Sequence, residues 1–475
     1  MTVNAAPPSP GTRPGGTQPT LSTRSAGDID GPSDLKLGVS KGSPPRIPEG
    51  HILVGMSHET GAPITTPLEA LRRHTAVFAG SGSGKTVLIR RLVEECALAG
   101  VSSIVLDPNN DLARLGTPWA KAPGGWLNGD SERARRYLKN TEVVIWTPGR
   151  QTGRPLSFQP IGDLGSVIDD PDDFGQVIDS AVATLLPRAG LARSRAKADQ
   201  GQAVLREALR QFARNGGHQL KGFLKYLGDF PEDCSQIADA PKIAHGMAQT
   251  LIAATVNDPL FGGAGEPIDP GELLSPSPGK LARISVISMI GLPNDDQRQS
   301  FVNQLQMALF GWAKRNPAGD RPLGGLYVMD EAQTFAPSSP STACTQSTLA
   351  LAAQARKYGL GLMFATQAPK GLHNRISGNA TTQFYGFMNS PTQIQAVREI
   401  AVHKGGDVPD IARLTAGTFY VTNDTLGVQK VRTPLCLSWH PKSPLSPIEV
   451  LNLASKKVEK WLPRGRGRRH GAVLR

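Results

Sequence analysis

Residues 77–86 read Val-Phe-Ala-Gly-Ser-Gly-Ser-Gly-Lys-Thr, and residues 87–93 continue as Val-Leu-Ile-Arg-Arg-Leu-Val. The apolar residues that open this stretch are typical of a buried strand, and those that close it have the spacing of an amphipathic helix. A loop of alternating glycine and serine that ends in Gly-Lys-Thr between a strand and a helix indicates a phosphate-binding loop, the P-loop. Ala79 stands where the usual pattern begins with glycine, and its small side chain fits the end of a strand.

The chemistry of this loop follows from its small residues and its place at a helix start. Backbone N–H groups can turn inward onto phosphate oxygens, and the helix N-terminus adds partial positive charge. We expect Lys85 between the β- and γ-phosphates and the Thr86 hydroxyl on Mg²⁺. The alternative is a flexible Gly/Ser turn without a ligand. The predicted nucleotide-binding residues are Gly80, Ser81, Gly82, Ser83, Gly84, Lys85 and Thr86.

Length and composition indicate a globular protein with a polyanionic partner. The chain has 475 residues, enough for two or three domains, of which 39% are hydrophobic and 19% charged. Its net charge of +12 favours nucleic acid, although an anionic membrane surface also fits. No apolar run approaches the roughly 18 residues of a membrane span, and the N-terminus lacks the apolar core of a signal peptide. The four cysteines form no Cys-x-x-Cys pair, so we expect reduced thiols, no zinc site and a cytoplasmic protein.

Strand candidates alternate with helical stretches along most of the chain, which predicts an α/β fold with a mainly parallel sheet. The N-terminal arm is rich in Pro, Gly, Ser and Thr and is expected to be disordered. The basic, Gly/Arg-rich C-terminal tail could touch nucleic-acid phosphates or simply be solvated. The expected segments are a disordered arm (1–48), a short β lead-in (49–75), a core (76–160 and 280–440), a helical insertion (161–279) and a C-terminal extension with the basic tail (441–475).

A second motif lies at residues 325–331, where four apolar residues after a glycine precede Asp330 and Glu331. Two acids at a strand end can divide the work of phosphate hydrolysis: Asp330 would hold the Mg²⁺ shell through water, and Glu331 would orient and deprotonate the attacking water. The alternative is an acid that only caps a turn. Together with the P-loop, the motif predicts a Mg²⁺-dependent ATPase.

Three further stretches carry a family resemblance: Asp-Glu-Ala-Gln at 330–333, Arg-Lys-Tyr-Gly-Leu-Gly-Leu at 356–362 and Ala-Thr-Gln-Ala-Pro at 365–369. In this order they resemble the HerA–FtsK branch of P-loop ATPases, and most of all the HerA-type DNA translocases, with VirB4-like secretion ATPases as near relatives. The resemblance covers roughly residues 75–160 and 280–440. It implies a RecA-like core that assembles into a ring, expected to be a homo-hexamer, with ATP between subunits.

The resemblance also implies roles for three residues. Arg356 would act in trans on the γ-phosphate in the neighbouring subunit; the alternative is an exposed arginine paired with a nearby acid. Gln367 would sense the γ-phosphate, or would only bond the backbone at a strand end. Asp107 would lie near the attacking water, although its Pro-Asn-Asn-Asp context equally suits an Asx-turn. With Lys85 and Glu331, these are the expected catalytic residues.

DNA contacts are expected in the loop that follows Gln367. Lys370, His373 and Arg375 could form a phosphate-contacting loop, and an ordinary solvated loop explains them equally well. No aromatic residue lies among them, which favours duplex over single-stranded DNA. The N-terminal β-barrel of the family is not evident in residues 49–75, which puts docking of a nuclease partner in doubt. A plasmid, conjugative or defence-system partner stays open.

These observations predict an ATP-hydrolysing, ring-forming DNA translocase or helicase-like motor of HerA type. Two alternatives remain open from the sequence. One is a VirB4- or conjugation-type ATPase that moves protein or assists a membrane channel. The other is a nucleotide-gated scaffold without turnover.

Overall fold

The computed structural model describes residues 43–157, 160–161, 164, 168–190, 195–217, 219–258, 260–262, 265–423, 427–441 and 443–455. Residues 1–42 of the expected disordered arm and the basic tail from 456 onward lie outside the described residues. Within the described ranges, no helix combines the length and apolar character needed to cross a membrane.

Helices and strands alternate along most of the described chain. The first part contains β1 (His51–Ser57), β2 (Pro63–Pro67), β3 (Thr75–Phe78), α1 (Lys85–Leu98), β4 (Ser103–Asp107), α2 (Asp130–Asn140), β5 (Thr141–Trp146) and β6 (Leu156–Ser157). The middle contains α3 (Pro171–Leu185), α4 (Arg195–Arg214), α5 (Leu220–Gly228), α6 (Ala240–Asn257), β7 (Glu266–Pro267) and α7 (Pro270–Leu274). The last part contains β8 (Ala282–Ser288), α8 (Asp295–Arg315), β9 (Gly325–Met329), α9 (Thr345–Gln354), β10 (Leu360–Thr366), α10 (Asn374–Asn379), β11 (Thr382–Tyr385), α11 (Pro391–His403), β12 (Thr418–Asn423), β13 (Gly427–Arg432) and α12 (Pro447–Ala454).

One eleven-stranded sheet organises these elements, in the order β2-β1-β13-β12-β11-β3-β10-β9-β4-β8-β5. The strands from β11 to β5 run parallel, which confirms the predicted mainly parallel α/β sheet. Strands β12, β13, β1 and β2 extend it in antiparallel fashion. The short β lead-in therefore belongs to the same sheet as the P-loop strand, because β1 pairs with β13 at its edge.

Both faces of the parallel strands are buried, as expected where helices cover a sheet on both sides. In β3, Ala76 and Phe78 enter one hydrophobic cluster with α8 and α9, while Val77 enters another with α1 and α2. Helices α3–α6 pack around a third cluster, which includes Leu209 and Phe223. The apolar runs predicted as strands are thus buried on both faces. The stretch predicted to be helical from its apolar spacing forms the four packed helices α3–α6.

A buried network of charged residues fastens α1, the helix after the P-loop, to α2 and to the segment after β13. The fully buried guanidinium of Arg91 donates to both carboxylate oxygens of Asp130, at 2.7 and 2.9 Å. Glu94, also fully buried, accepts from the backbone N–H groups of Leu437 and Ser438 at 2.6 and 2.9 Å. Because a buried charge without its partner is costly, the helix stays in place only while these pairs are complete.

We expect Asp130→Ala to lower the free energy of unfolding by about 3–5 kcal/mol, because buried Arg91 would lose the carboxylate that accepts from two of its nitrogens and would keep only Glu95 as an acidic partner. Urea unfolding measures the loss. The matched control is Arg135→Ala in the same helix, which removes an exposed ion pair with Glu132 and should change stability by about 0.5 kcal/mol or less. Equal effects of the two substitutions would contradict a structural role for the buried network.

Candidate active site

The P-loop joins the end of β3 to the start of α1 at the carboxyl edge of the parallel strands. Gly82 and Gly84 adopt φ of 76° and 88°, in the left-handed region that only glycine enters at little cost. A Cβ on Gly84 would lie 2.8 Å from the backbone nitrogen of Gly417, so no larger residue fits there. The glycines therefore bring the backbone of the loop into a tight turn directly before the helix N-terminus.

Segments beside β11 and β12 support this loop from behind. The N–H of Gly80 donates to the carbonyl of Phe387 at 2.8 Å, and the N–H of Gly417 donates to the carbonyl of Ser83 at 2.9 Å. The buried Ser83 hydroxyl accepts from the N–H of Lys85 at 3.3 Å. These bonds hold the outer side of the loop in its turn.

Lys85 meets both acids of the second motif. Its ammonium nitrogen lies 2.5 Å from Oδ1 of Asp330 and 2.7 Å from Oε1 of Glu331, the two residues that follow β9. Burial disfavours the charge on Lys85, but the two carboxylates outweigh burial and raise its pKa. Burial raises the pKa of Asp330 despite the nearby ammonium. Burial also acts to raise the pKa of the less buried Glu331, but Lys85 and two amide donors lower it on balance, so this carboxylate is ionised.

Two glutamines orient the Glu331 carboxylate. Gln367, directly after β10, donates from its amide nitrogen to Oε1 at 2.7 Å, and Gln333 donates to Oε2 at 2.7 Å. The backbone of Glu331 has φ of 50°, which for a residue other than glycine costs roughly 1–3 kcal/mol and persists where the surroundings hold it. Gln367 was predicted from the sequence as a site residue, whereas Gln333 was missed, although it stands inside the Asp-Glu-Ala-Gln motif.

Asp107 lies at the end of β4, fully buried, and its carboxylate holds the following loop. Its two oxygens accept from the N–H groups of Asp111 and Leu112, each at 3.0 Å, as in the turn-forming alternative. Burial raises the pKa of Asp107 to about 7. Asp111 was not found from the sequence. Its pKa is raised by burial and by the charge of Asp330, so the turn brings this acid into the electrostatic field of the site.

Arg356 lies far from the P-loop of its own chain. It occupies the 3-10 segment Ala355–Tyr358, directly before β10, at the amino edge of the sheet. Since β10 spans seven residues, at about 3.3 Å per residue the two edges are roughly 20 Å apart. Exposed Arg356 lines a pocket of about 510 Å³ together with Arg72, Arg73 and Lys357. The fold therefore groups four cations and one acid, Glu69, on the edge opposite the P-loop.

The expected DNA-contacting residues follow β10 at the carboxyl edge. Lys370 and Arg375 are exposed, and Lys370 and His373 line a second pocket of about 520 Å³ that also includes Glu399. The His373 ring accepts from the N–H of Arg375 at 3.3 Å and caps α10. These side chains are thus on the same edge of the sheet as the P-loop, on a short loop and the helix that follows it.

Comparison with known proteins agrees with this fold. The family model described as "Helicase HerA, central domain" matches residues 51–307. The bacterial conjugative coupling protein TrwBdeltaN70, solved in a trigonal form with sulphate, is 15% identical at a TM-score of 0.51, over 85% of this chain and 92% of that chain. TrwB with the non-hydrolysable ATP analogue ADPNP is 14% identical at 0.51, with the same coverage. VirB4 of Thermoanaerobacter pseudethanolicus is 14% identical at 0.49, over 85% and 99%. No curated protein matches the sequence.

The raised pKa of Asp107 predicts a pH-dependent stability. Between pH of about 4 and about 7, folded Asp107 keeps a proton that the unfolded chain has released, so folding stability falls as the pH rises. Asp107→Asn cannot ionise and lacks this loss. We expect the free energy of unfolding of the wild type, relative to the variant, to be about 2 kcal/mol lower at pH 8 than at pH 5 by urea unfolding. The control is Asp295→Asn, which changes an exposed acid and should not alter the pH dependence of stability. If the wild type and Asp107→Asn differ in free energy of unfolding by the same amount at pH 5 and pH 8, the raised pKa of Asp107 is refuted.

Proposed function

Because the chain belongs to the HerA central-domain family and is a P-loop ATPase, we propose that it works as a ring-forming motor that translocates duplex DNA. The single observation that carries the proposal is the meeting of Lys85 with Asp330 and Glu331 beside the P-loop. A glycine turn at a helix N-terminus, a charged ammonium and a pair of acids together are the parts that triphosphate hydrolysis requires. We also propose that the subunits assemble into a ring, that the substrate is DNA and that the side chains of the site have the following roles.

The residues present fit a nucleotide with Mg²⁺. The glycine turn with Gly82 and Gly84 at φ of 76° and 88° leads directly into the N-terminus of α1, where backbone N–H groups and the helix dipole favour phosphate oxygens. The hydroxyl of Thr86 and the buried carboxylate of Asp330 supply the oxygen ligands that Mg²⁺ prefers. Bound there, Mg²⁺ would neutralise charge that develops on the phosphate oxygens.

The side chains of the site divide the hydrolysis step among them. The phosphates of a bound triphosphate would compete with Glu331 for the Lys85 ammonium. Glu331 would then be held by its two amide donors, Gln333 and Gln367, and would accept the proton of the attacking water. Gln367 directly follows β10, the strand between β3 and β9, which supports its role as a sensor of the γ-phosphate. Asp107 acts in this scheme by holding its loop rather than by touching the water.

Arg356 supports a site shared between subunits. It lies at the opposite sheet edge from its own P-loop, so it can reach a γ-phosphate only if a neighbouring subunit places its P-loop against that edge. The pocket that Arg356 shares with Arg72, Arg73, Lys357 and the acid Glu69 has a net positive charge, which supports a role in stabilising the charge of the transition state. A closed ring, which we propose to be a hexamer, gives every subunit such a neighbour.

The charge and the loop after β10 support DNA as the track. The chain carries a net charge of +12, and the loop with Lys370 adjoins Gln367, so phosphate contacts and nucleotide state can affect each other. The β1–β2 lead-in forms the edge of the main sheet, so a docked nuclease is not part of the proposal. The motor is proposed to work in the cytoplasm.

We expect duplex DNA to raise steady-state ATP turnover, and the stimulation to weaken as salt rises from 50 to about 200 mM because phosphate binding releases counterions. Glu331→Gln should still bind nucleotide but turn over roughly 10²–10⁴ times more slowly, with or without DNA. The exposed Glu132→Gln in α2 is the matched control. Absence of stimulation by any DNA would reject the translocase in favour of a secretion-type ATPase, and wild-type turnover in Glu331→Gln would reject the site.

Mixed assemblies test the shared site. Arg356→Ala and Glu331→Gln should each be nearly inactive alone, since each lacks one half of the proposed site. A 1:1 mixture should regain about a quarter of wild-type turnover, because half of the sites keep Glu331 and half of their neighbours supply Arg356. The control is a 1:1 mixture of Glu331→Gln with the double variant Glu331→Gln/Arg356→Ala. It should have no turnover, because none of its subunits carries Glu331. A mixture no more active than its components would rule out action in trans.

A further inference from the structure

The hydroxyl of Thr366, the last residue of β10, makes two hydrogen bonds, one as acceptor and one as donor. It accepts from the N–H of Ala368 at 2.9 Å and donates to the side-chain oxygen of Gln333 at 2.6 Å. Because a backbone N–H can only donate, the Thr366 hydroxyl must accept from Ala368 and is the donor in its bond to Gln333. This fixes the Gln333 amide with its nitrogen toward Oε2 of Glu331, 2.7 Å away.

Gln333 makes a contact that the other partners of Glu331 do not. Lys85 and Gln367 both bond Oε1. Within the described residues, the hydrogen bond to Oε2 comes from Gln333. Gln333 therefore controls the rotation of the Glu331 carboxylate about the bond that joins it to the side chain. This rotation sets the direction in which the carboxylate oxygens face the attacking water.

The loop at residues 368–373 is attached to the segment that carries Gln333. The N–H of Ser338 donates to the carbonyl of Gly371 at 2.8 Å, and the N–H of His373 donates to the carbonyl of Ala336 at 3.0 Å. A Cβ on Gly371 would be 3.7 Å from Cβ of Gln333, so loop and side chain are in direct packing range. The loop is thus hydrogen-bonded to the segment that follows Gln333 and, through the N–H of Ala368, to Thr366, so a displacement of the loop would act on the bond between Thr366 and Gln333.

We propose that Thr366 and Gln333 form a positioning relay through which the loop at 368–373 sets the orientation of the Glu331 carboxylate. The inference rests on the proposed function in taking Glu331 as the base that activates water. A phosphate group bound by Lys370 would shift the loop and, through Thr366 and Gln333, the carboxylate. In the opposite direction, a triphosphate that draws Lys85 away from Glu331 would change the strength with which the loop is held.

Thr366→Val tests the relay, because valine keeps the shape of threonine and removes only the hydroxyl. The first readout needs no DNA: amide hydrogen exchange of residues 368–373 with and without a non-hydrolysable ATP analogue. We expect a several-fold change on nucleotide binding in the wild type and less than a twofold change in Thr366→Val. The second readout is a fall of about tenfold in kcat for ATP with KM changed less than about twofold, since the substrate contacts remain.

Three further variants complete the test. Thr366→Ser keeps the hydroxyl and should restore both readouts, which a purely packing role of Thr366 would not require. Thr75→Val removes another buried hydroxyl, at the far end of neighbouring β3, and should change neither. Gln333→Leu should reproduce Thr366→Val and serves in its place if that variant does not fold.

The outcomes separate the relay from the motor. The relay is wrong if nucleotide leaves exchange of the wild-type loop unchanged, if Thr366→Val keeps the wild-type response and kcat, or if Thr366→Ser fails to restore them. If DNA does not stimulate turnover, the proposed translocase function is rejected. The hydrogen-exchange experiment would still test the relay, because that experiment depends only on nucleotide binding.

Discussion

The ammonium group of Lys85 holds this active site together, since it bridges two carboxylates that lie 245 and 246 residues further along the chain. Parallel strands present their carboxyl ends at one edge of a sheet, so β3 and β9 deliver the P-loop and the acids to the same place. The bridging charge also allows two adjacent acids, Asp330 and Glu331, to remain in a site where burial favours their neutral forms. Strand β10 lies between β3 and β9, and its end adds Gln367 to the carboxylate of Glu331.

The two edges of the sheet have different chemistry, and this difference is what makes a shared site reasonable. The carboxyl edge gathers the phosphate-binding loop and the acids. The amino edge gathers Arg72, Arg73, Arg356 and Lys357 in one pocket. In the head-to-tail packing that we propose, the cations at the amino edge of one subunit would face the phosphate-binding loop of the next, and such packing forms rings when the rotation closes. The buried ion pairs of α1 complement this arrangement, because they fix the helix on which the P-loop is mounted.

The helical insertion is joined to the active site by side-chain contacts through α8. Arg188, after α3, donates to the hydroxyl of Ser300 in α8 at 3.1 Å and pairs with Asp258 at the end of α6. One residue earlier in α8, Gln299 donates to the carbonyl of Thr334, directly after the Asp-Glu-Ala-Gln motif, at 3.0 Å. The insertion thus has its own hydrophobic cluster but contacts the core through the helix that adjoins the acidic motif.

The sequence by itself determined the parts of this protein that depend on local pattern. The glycine loop of residues 80–86, the acid pair after β9 and the central buried strands could be read from it, because loop chemistry and apolar periodicity are properties of neighbouring residues. It did not yield β13 or α2, and it did not show that β1 and β2 belong to the main sheet, because pairing partners at a sheet edge are not encoded locally.

Only the tertiary structure decided how the site residues act on one another. Gln333 was visible in the sequence, but its bonds to Glu331 and Thr366 exist because β9 and β10 are neighbours in the sheet. Arg356 was predicted from its motif, yet its place on the edge opposite the P-loop follows from strand direction. The physical reason is the same in both cases: hydrogen bonds and charge interactions depend on distances of a few ångströms, and strand order sets those distances between residues remote in the chain.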